Sequence, residues 1–158
     1  MRKKWKVIVL AGIGLLVAMQ LIPVRRTNPP VTGDLKTPPE VRRILGASCY
    51  DCHSHETHWP FYSYVAPVSW FIAHDVHEGR GRVNFSEWDA YPESAREFLR
   101  NDVYNQVSEG EMPPWPYLLL HPSARVGAAA LDVLKQWAGS APGADDGRTP
   151  DESDRRDR

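Results

Sequence analysis

Ser48-Cys49-Tyr50-Asp51-Cys52-His53 holds the only two cysteines of the chain and sets a histidine directly after the second, giving one C-x-x-C-H with no thiol to spare. Two thiols at that spacing, at the end of a short helix, reach both vinyl groups of a haem. The imidazole one residue further on projects under the porphyrin as an iron ligand. Cys49 and Cys52 are therefore expected to be the thioether attachments of one covalent haem c, and His53 the proximal ligand of its iron. Three other chemistries use the same thiols. A zinc site needs four ligands, which Cys49, Cys52, His55 and His58 could supply. An isolated pair in an oxidising compartment can form a disulfide. A thioredoxin-like redox pair would sit in a strand-helix-strand pattern, which the flanking sequence lacks.

The sixth iron position separates electron carriers from gas sensors and peroxidases. Met112 is the only Met outside the N-terminal segment, and it lies in Ser108-Glu109-Gly110-Glu111-Met112-Pro113-Pro114-Trp115. There a Gly permits a turn and two Pro stiffen the loop, as a weak thioether ligand requires. Met112 is the expected distal ligand, against the alternative of a core gap-filler. His55, His58, His74, His77 and His121 are rival ligands. Arg80 and Arg82 are candidate partners of the haem propionates, since a guanidinium pairs bidentately with a carboxylate. Trp59 and Trp115 belong to an aromatic set, with Phe61, Tyr62, Tyr64, Trp70, Trp88 and Trp137, that exceeds what so small a core needs unless a large flat group fills it.

Outward from the motif the pattern is helical. Thr37-Pro38-Pro39-Glu40 reads as a helix start with Thr37 as N-cap, followed by a stripe of Val41, Ile44 and Leu45. Val68, Phe71, Ile72 and Val76 recur at helical spacing between Pro67 and a stop at Gly79. Ala95, Phe98, Leu99, Val103 and Val107 do so between Pro92 and Gly110, and Ala130, Leu131, Leu134, Trp137 and Ala138 form a last face before Gly139. No stretch alternates with period two. The fold class is all-α: a small cytochrome c-like domain around one covalent haem, after one N-terminal transmembrane helix.

The length, 158 residues, allows one ordinary domain with tethers. Val7 to Ile22 is apolar apart from Gln20 and follows Arg2, Lys3, Lys4 and Lys6, so residues 1–24 read as a membrane anchor or signal-anchor. The excess of basic residues before it puts the N-terminus in the cytoplasm and the rest outside. Residues 25–36 read as a Pro-rich linker, 37–139 as the haem-binding domain, and 140–158, without a large apolar residue, as a disordered tail. The net charge of −1 conceals a division. Residues 1–26 are basic without a single acid and the central segment is acidic, which disfavours nucleic-acid binding by the folded part.

From the anchor through Cys49–His53, Trp59-Pro60, Ala66-Pro67-Val68-Ser69-Trp70, Glu78-Gly79-Arg80, Asn84-Phe85-Ser86, Gly110-Glu111-Met112-Pro113 and His121-Pro122, the chain resembles the haem-binding-domain family of bacterial exported proteins. The resemblance implies haem c binding, with Cys49 and Cys52 as attachment residues, His53 as proximal and Met112 as distal ligand, and no defined reaction of its own. The reading is a periplasmic monohaem c-type cytochrome, single-pass in the bacterial inner membrane. It would carry single electrons between redox partner proteins in or near that membrane. Two alternatives stay open: a gas sensor or peroxidase-associated haem module with an open sixth position, and a non-haem zinc or structural module.

Overall fold

A computed structural model describes residues 2–140, so the tail expected at 140–158 lies, beyond Ser140, outside the described residues. The first helix, α1 (Arg2–Met19), buries none of its residues, and Trp5, Ile8, Leu10 and Leu16 are all more than half exposed. The expected transmembrane helix is not found: among the described residues no helix is long and apolar enough to cross a membrane. Four basic side chains occupy the first turns of α1. Its apolar remainder, Val7 to Met19, rises only about 20 Å against a hydrocarbon core of about 30 Å.

Residues 25–36, read from sequence as a linker, pack onto the domain. Leu35 is 2% exposed and belongs to the core. Backbone bonds from Thr32 and Gly33 N–H to Ser86 O, from Leu35 N–H to Phe85 O (2.9 Å) and from Trp88 N–H to Gly33 O (2.7 Å) tie the segment to residues 85–88. Gly33 is needed there, since a Cβ would lie 2.7 Å from that of Asp89. Proline-rich composition does not disclose the partner that the backbone of this segment takes.

Helix α2 (Pro39–Ser48) has Pro in its first turn, as expected, and buries Val41 and Leu45. Thr37 is not its N-cap. Pro38 holds that position without a side-chain bond, and the Thr37 hydroxyl is buried with no hydrogen-bond partner. The one-turn helix α3 (Tyr50–His53) follows at once. After a 3-10 turn at Phe61–Tyr64, α4 (Val68–Arg82) runs straight through Gly79, which does not stop it. Helices α5 (Glu93–Ser108) and α7 (Ala128–Ala138) pack against each other and carry the apolar stripes read from sequence, except that Phe98 of the α5 stripe is 69% exposed. A short α6 (Trp115–Leu120) lies between them in the chain.

The core is a cluster of Leu35, Val41, Leu45, Tyr50, Val83, Phe85, Trp88, Leu134 and Trp137. Tyr50 stacks on Phe85 at 5.1 Å and Phe85 meets Trp88 at 6.2 Å. These rings fix the inner end of α3 against the loop that follows α4. The aromatic surplus is explained differently from expectation. Trp88 and Trp137 fill the core, whereas Phe61, Tyr64 and Trp115 are on the surface.

Candidate functional site

Cys49 N–H caps α2 by bonding Leu45 O (2.8 Å), and its own carbonyl accepts from Cys52 N–H (3.1 Å) and His53 N–H (2.9 Å). The single turn that results places residues i, i+3 and i+4 on one side, so both thiols and the imidazole face the same way. They line a cavity of about 510 Å³ with Gly79 and Arg82 of α4, Val103, Gln106 and Val107 of α5, and Met112. That size is ordinary for a cofactor pocket, roughly 300–1,000 Å³.

Backbone carbonyls fix the orientation of the imidazole. His53 Nδ1 lies 2.9 Å from Gly79 O and 3.2 Å from Val83 O. Both partners can only accept, so Nδ1 carries the proton and Nε2 keeps a free lone pair. A histidine tethered in this way is the usual arrangement of a metal ligand. Burial, partly countered by those two bonds, lowers the His53 pKa from its ordinary 6.5 and favours the neutral, ligating form. Gly79 makes the tether possible. A Cβ there would stand 2.6 Å from Cys52 O and 3.2 Å from Cys52 Cβ, so only glycine lets α4 approach α3 closely enough.

The opposite wall is set by the end of α5. Gly110, at φ +79°, turns the chain back: its N–H bonds Val107 O, and the N–H groups of Glu111 (2.9 Å) and Met112 (3.1 Å) both bond Gln106 O. Met112 is thereby brought, half-buried, to the cavity that His53 lines. An imidazole with a free Nε2, a thioether and two thiols in one largely apolar cavity are the donor set of a covalently held haem, and the residues fit that group.

The two thiols are protonated. Burial first, then the neighbouring charge of Cys52, pushes Cys49 up to about 12; burial first, then Asp51 and Asp75, pushes Cys52 up to about 12. Both are free cysteines. Protonated thiols oppose the redox-pair reading, which needs a stabilised thiolate. The zinc quartet is not assembled. His55 is buried, donates from Nδ1 to Pro30 O (2.9 Å) and accepts at Nε2 from Asn84 (2.8 Å), while His58 is exposed beside Asp51. Among the described residues no three His, Cys, Asp or Glu are placed to hold a metal ion between them.

Three residues singled out for cofactor contact lie elsewhere. Arg80 points away from the cavity and donates to Ser54 O (2.7 Å), Thr27 O (2.9 Å), Asn28 Oδ1 (3.1 Å) and Thr57 Oγ1 (2.9 Å), where it binds the N-terminal segment to the loop after α3. Trp59 donates from Nε1 to Asn28 Oδ1, and Trp115 is 73% exposed; neither lines the cavity. Of the two arginines considered, Arg82 is the one that does. His74 and His77 are exposed on α4 and also lie outside it.

A smaller hollow of about 290 Å³ adjoins the first and shares Asp51, Cys52, Asp75, Pro114 and Tyr117 with it. Tyr117 Oη donates to Asp51 Oδ2 (2.8 Å), which raises the Tyr117 pKa after burial has done so. His121 lines this second hollow, stacked on Tyr117 at 4.1 Å with Nε2 3.1 Å from Tyr62 Oη. No sequence signal marked Asp51 and Tyr117 as partners, because they are 66 residues apart.

A family model described as a haem-binding domain matches residues 14–140 of this chain. No curated protein and no solved structure matches it.

Proposed function

Because this chain belongs to the haem-binding domain family, we propose that it is a monohaem c-type cytochrome that carries single electrons. The observation that supports this reading best is His53, its Nδ1 proton held by Gly79 O and Val83 O and its Nε2 left free, in the cavity shared by both thiols and Met112. Cys49 and Cys52 would hold the haem as thioethers, His53 would ligate its iron, and Met112 would be the distal ligand. Bound there, haem would supply a reversible one-electron Fe(II)/Fe(III) couple. The protein's own part is to orient the imidazole, to keep water from the apolar walls around Val103, Val107 and Phe85, and to set the charge at the rim.

That rim is acidic. Asp51, Asp75, Glu78, Asp102 and Glu111 line the cavity with Arg82 as the one cation among its lining residues, so a basic partner and brief, salt-sensitive encounters suit it. Helix α1 is apolar on every side beyond its basic first turns, and we read it as a segment directed to a membrane surface.

The test is co-expression with the haem-attachment machinery, followed by spectra in both oxidation states and a potentiometric titration. The reading expects a covalent haem that titrates as one electron and a ferrous form slow to bind carbon monoxide. Immediate carbon monoxide binding, with no thioether-to-iron band in the ferric spectrum, would replace it with the sensor or peroxidase-associated reading.

A further inference from the structure

The corner where α1 enters the domain differs from the rest of the surface. Gln20, just after α1, grips it twice: Nε2–H donates to Ala66 O (3.2 Å), and Oε1 accepts from Ala66 N–H (3.0 Å). Arg26 donates to Ser63 O (3.2 Å) and lays its guanidinium over the Tyr64 ring at 4.4 Å. Around these contacts Phe61, Tyr64, Val65, Val68 and Phe71 stand exposed, Phe61 at 83% and Phe71 at 67%. From Trp59 to Ala73 the chain has no acidic, basic or histidine residue, so Arg26 is the charge that the contacts above bring to this patch. Val68, Phe71 and the exposed Leu120 also line the smaller hollow, which extends the apolar surface to the edge of the haem cavity.

Single exposed apolar side chains are ordinary, but a contiguous patch of them marks a contact surface. The occupant is indicated by what is fastened there. Helix α1 is apolar and buries nothing in the domain, so a bilayer that takes it up is drawn to the corner that Gln20 clamps. Aromatic rings beside a basic side chain, here Tyr64 under Arg26, are the groups that settle at the level of lipid headgroups. We propose that the face formed by Phe61, Tyr64, Val65, Val68 and Phe71 rests on a lipid bilayer surface and holds the haem cavity at a fixed orientation above it. The proposal rests on the reading of α1 as membrane-directed and adds a second, independent contact from the domain itself.

The chain's four phenylalanines supply the test. Phe61 and Phe71 are on the face, Phe98 is as exposed (69%) but on α5, and Phe85 is buried. The full-length ferrous holoprotein, labelled with fluorophenylalanine and assigned through Phe61→Leu and Phe71→Leu, is bound to phosphatidylcholine–phosphatidylglycerol vesicles with and without a headgroup nitroxide lipid. The expected result is loss of the Phe61 and Phe71 fluorine signals to the nitroxide, with Phe98 and Phe85 kept sharp. Equal broadening of Phe61, Phe71 and Phe98, or no broadening in vesicle-bound protein, overturns the proposal and leaves α1 as the sole attachment. Shifts at Phe61 and Phe71 without nitroxide broadening would assign the face to a second copy of the chain. Protein that fails to float with the vesicles refutes the membrane reading of α1 itself, and this proposal with it.

Discussion

Replacing Gly79 with Ala adds one methyl where α4 crosses α3, and the structure fixes what that methyl meets. Its nearest neighbours are the Cys52 carbonyl oxygen at 2.6 Å, the Cys52 carbonyl carbon at 3.1 Å and Cys52 Cβ at 3.2 Å. Backbone does not swing aside as a side-chain tip does, so the helices must separate, at the overpacking cost of about 1–3 kcal/mol. Separation also lengthens the Gly79 O bond to His53 Nδ1, worth about 0.5–1.5 kcal/mol. Against these stands the better helix propensity of Ala, about 1 kcal/mol. The balance is a loss of about 0.5–3.5 kcal/mol, read as a lower urea midpoint of the holoprotein at unchanged slope. The reduction potential and the His53 ring-proton resonance should shift with it, since the ligand loses its tether. Gly46→Ala and Gly81→Ala are the controls. Both glycines are helical with nothing within 4 Å of an added Cβ, and both substitutions should raise the midpoint, by up to about 1 kcal/mol. A Gly79→Ala protein as stable as these controls, with an unmoved potential, would refute the close-approach reasoning.

Met112→Ala should leave haem attachment intact, abolish the ferric thioether-to-iron band and lower the reduction potential, as spectra and a redox titration would show; a retained band would place the ligand elsewhere. In the haem-free fold the Cys49 and Cys52 thiols, raised from 9 to about 12, should react with iodoacetamide at pH 8 some tens of fold more slowly than in urea, the scarcer thiolate being partly offset by its greater nucleophilicity. Equal rates would contradict the raised thiol pKa values. The lowered His53 pKa gives the haem-free protein a pH-dependent stability with a definite sign. Between the folded value and 6.5 the unfolded chain binds the extra proton, so this contribution is complete above 6.5 and is lost as the pH falls below it. Urea midpoints across that range should fall with acid in the wild type and lose this component in His53→Ala.

What the sequence disclosed was what short spacing and periodicity carry. C-x-x-C-H forced two thiols and an imidazole onto one turn, and the stripes of α5 and α7 followed from Leu99, Val103, Leu134 and Trp137. Gly110, read as a turn residue, has the positive φ that brings Met112 round. What it concealed depends on contacts between distant segments. Gly79 reads as a helix stop unless Cys52 is known to lie against it, and Arg80 reads as a propionate partner unless the carbonyls of Thr27 and Ser54 are in view. The 25–36 segment lacks any period because its order comes from bonds to Ser86 and Phe85 rather than from an apolar face of its own. The number of aromatics suggests a flat cofactor, but composition does not distinguish a core ring from a surface one, and Phe61 and Trp115 lie on the surface.

The most direct measurement is the intact mass of the chain made alongside the haem-attachment enzymes, for the wild type and for Cys49→Ser/Cys52→Ser. The account predicts a wild-type mass exceeding the polypeptide by one haem, with the excess absent from the double variant. A wild-type chain that weighs only its amino acids would contradict it.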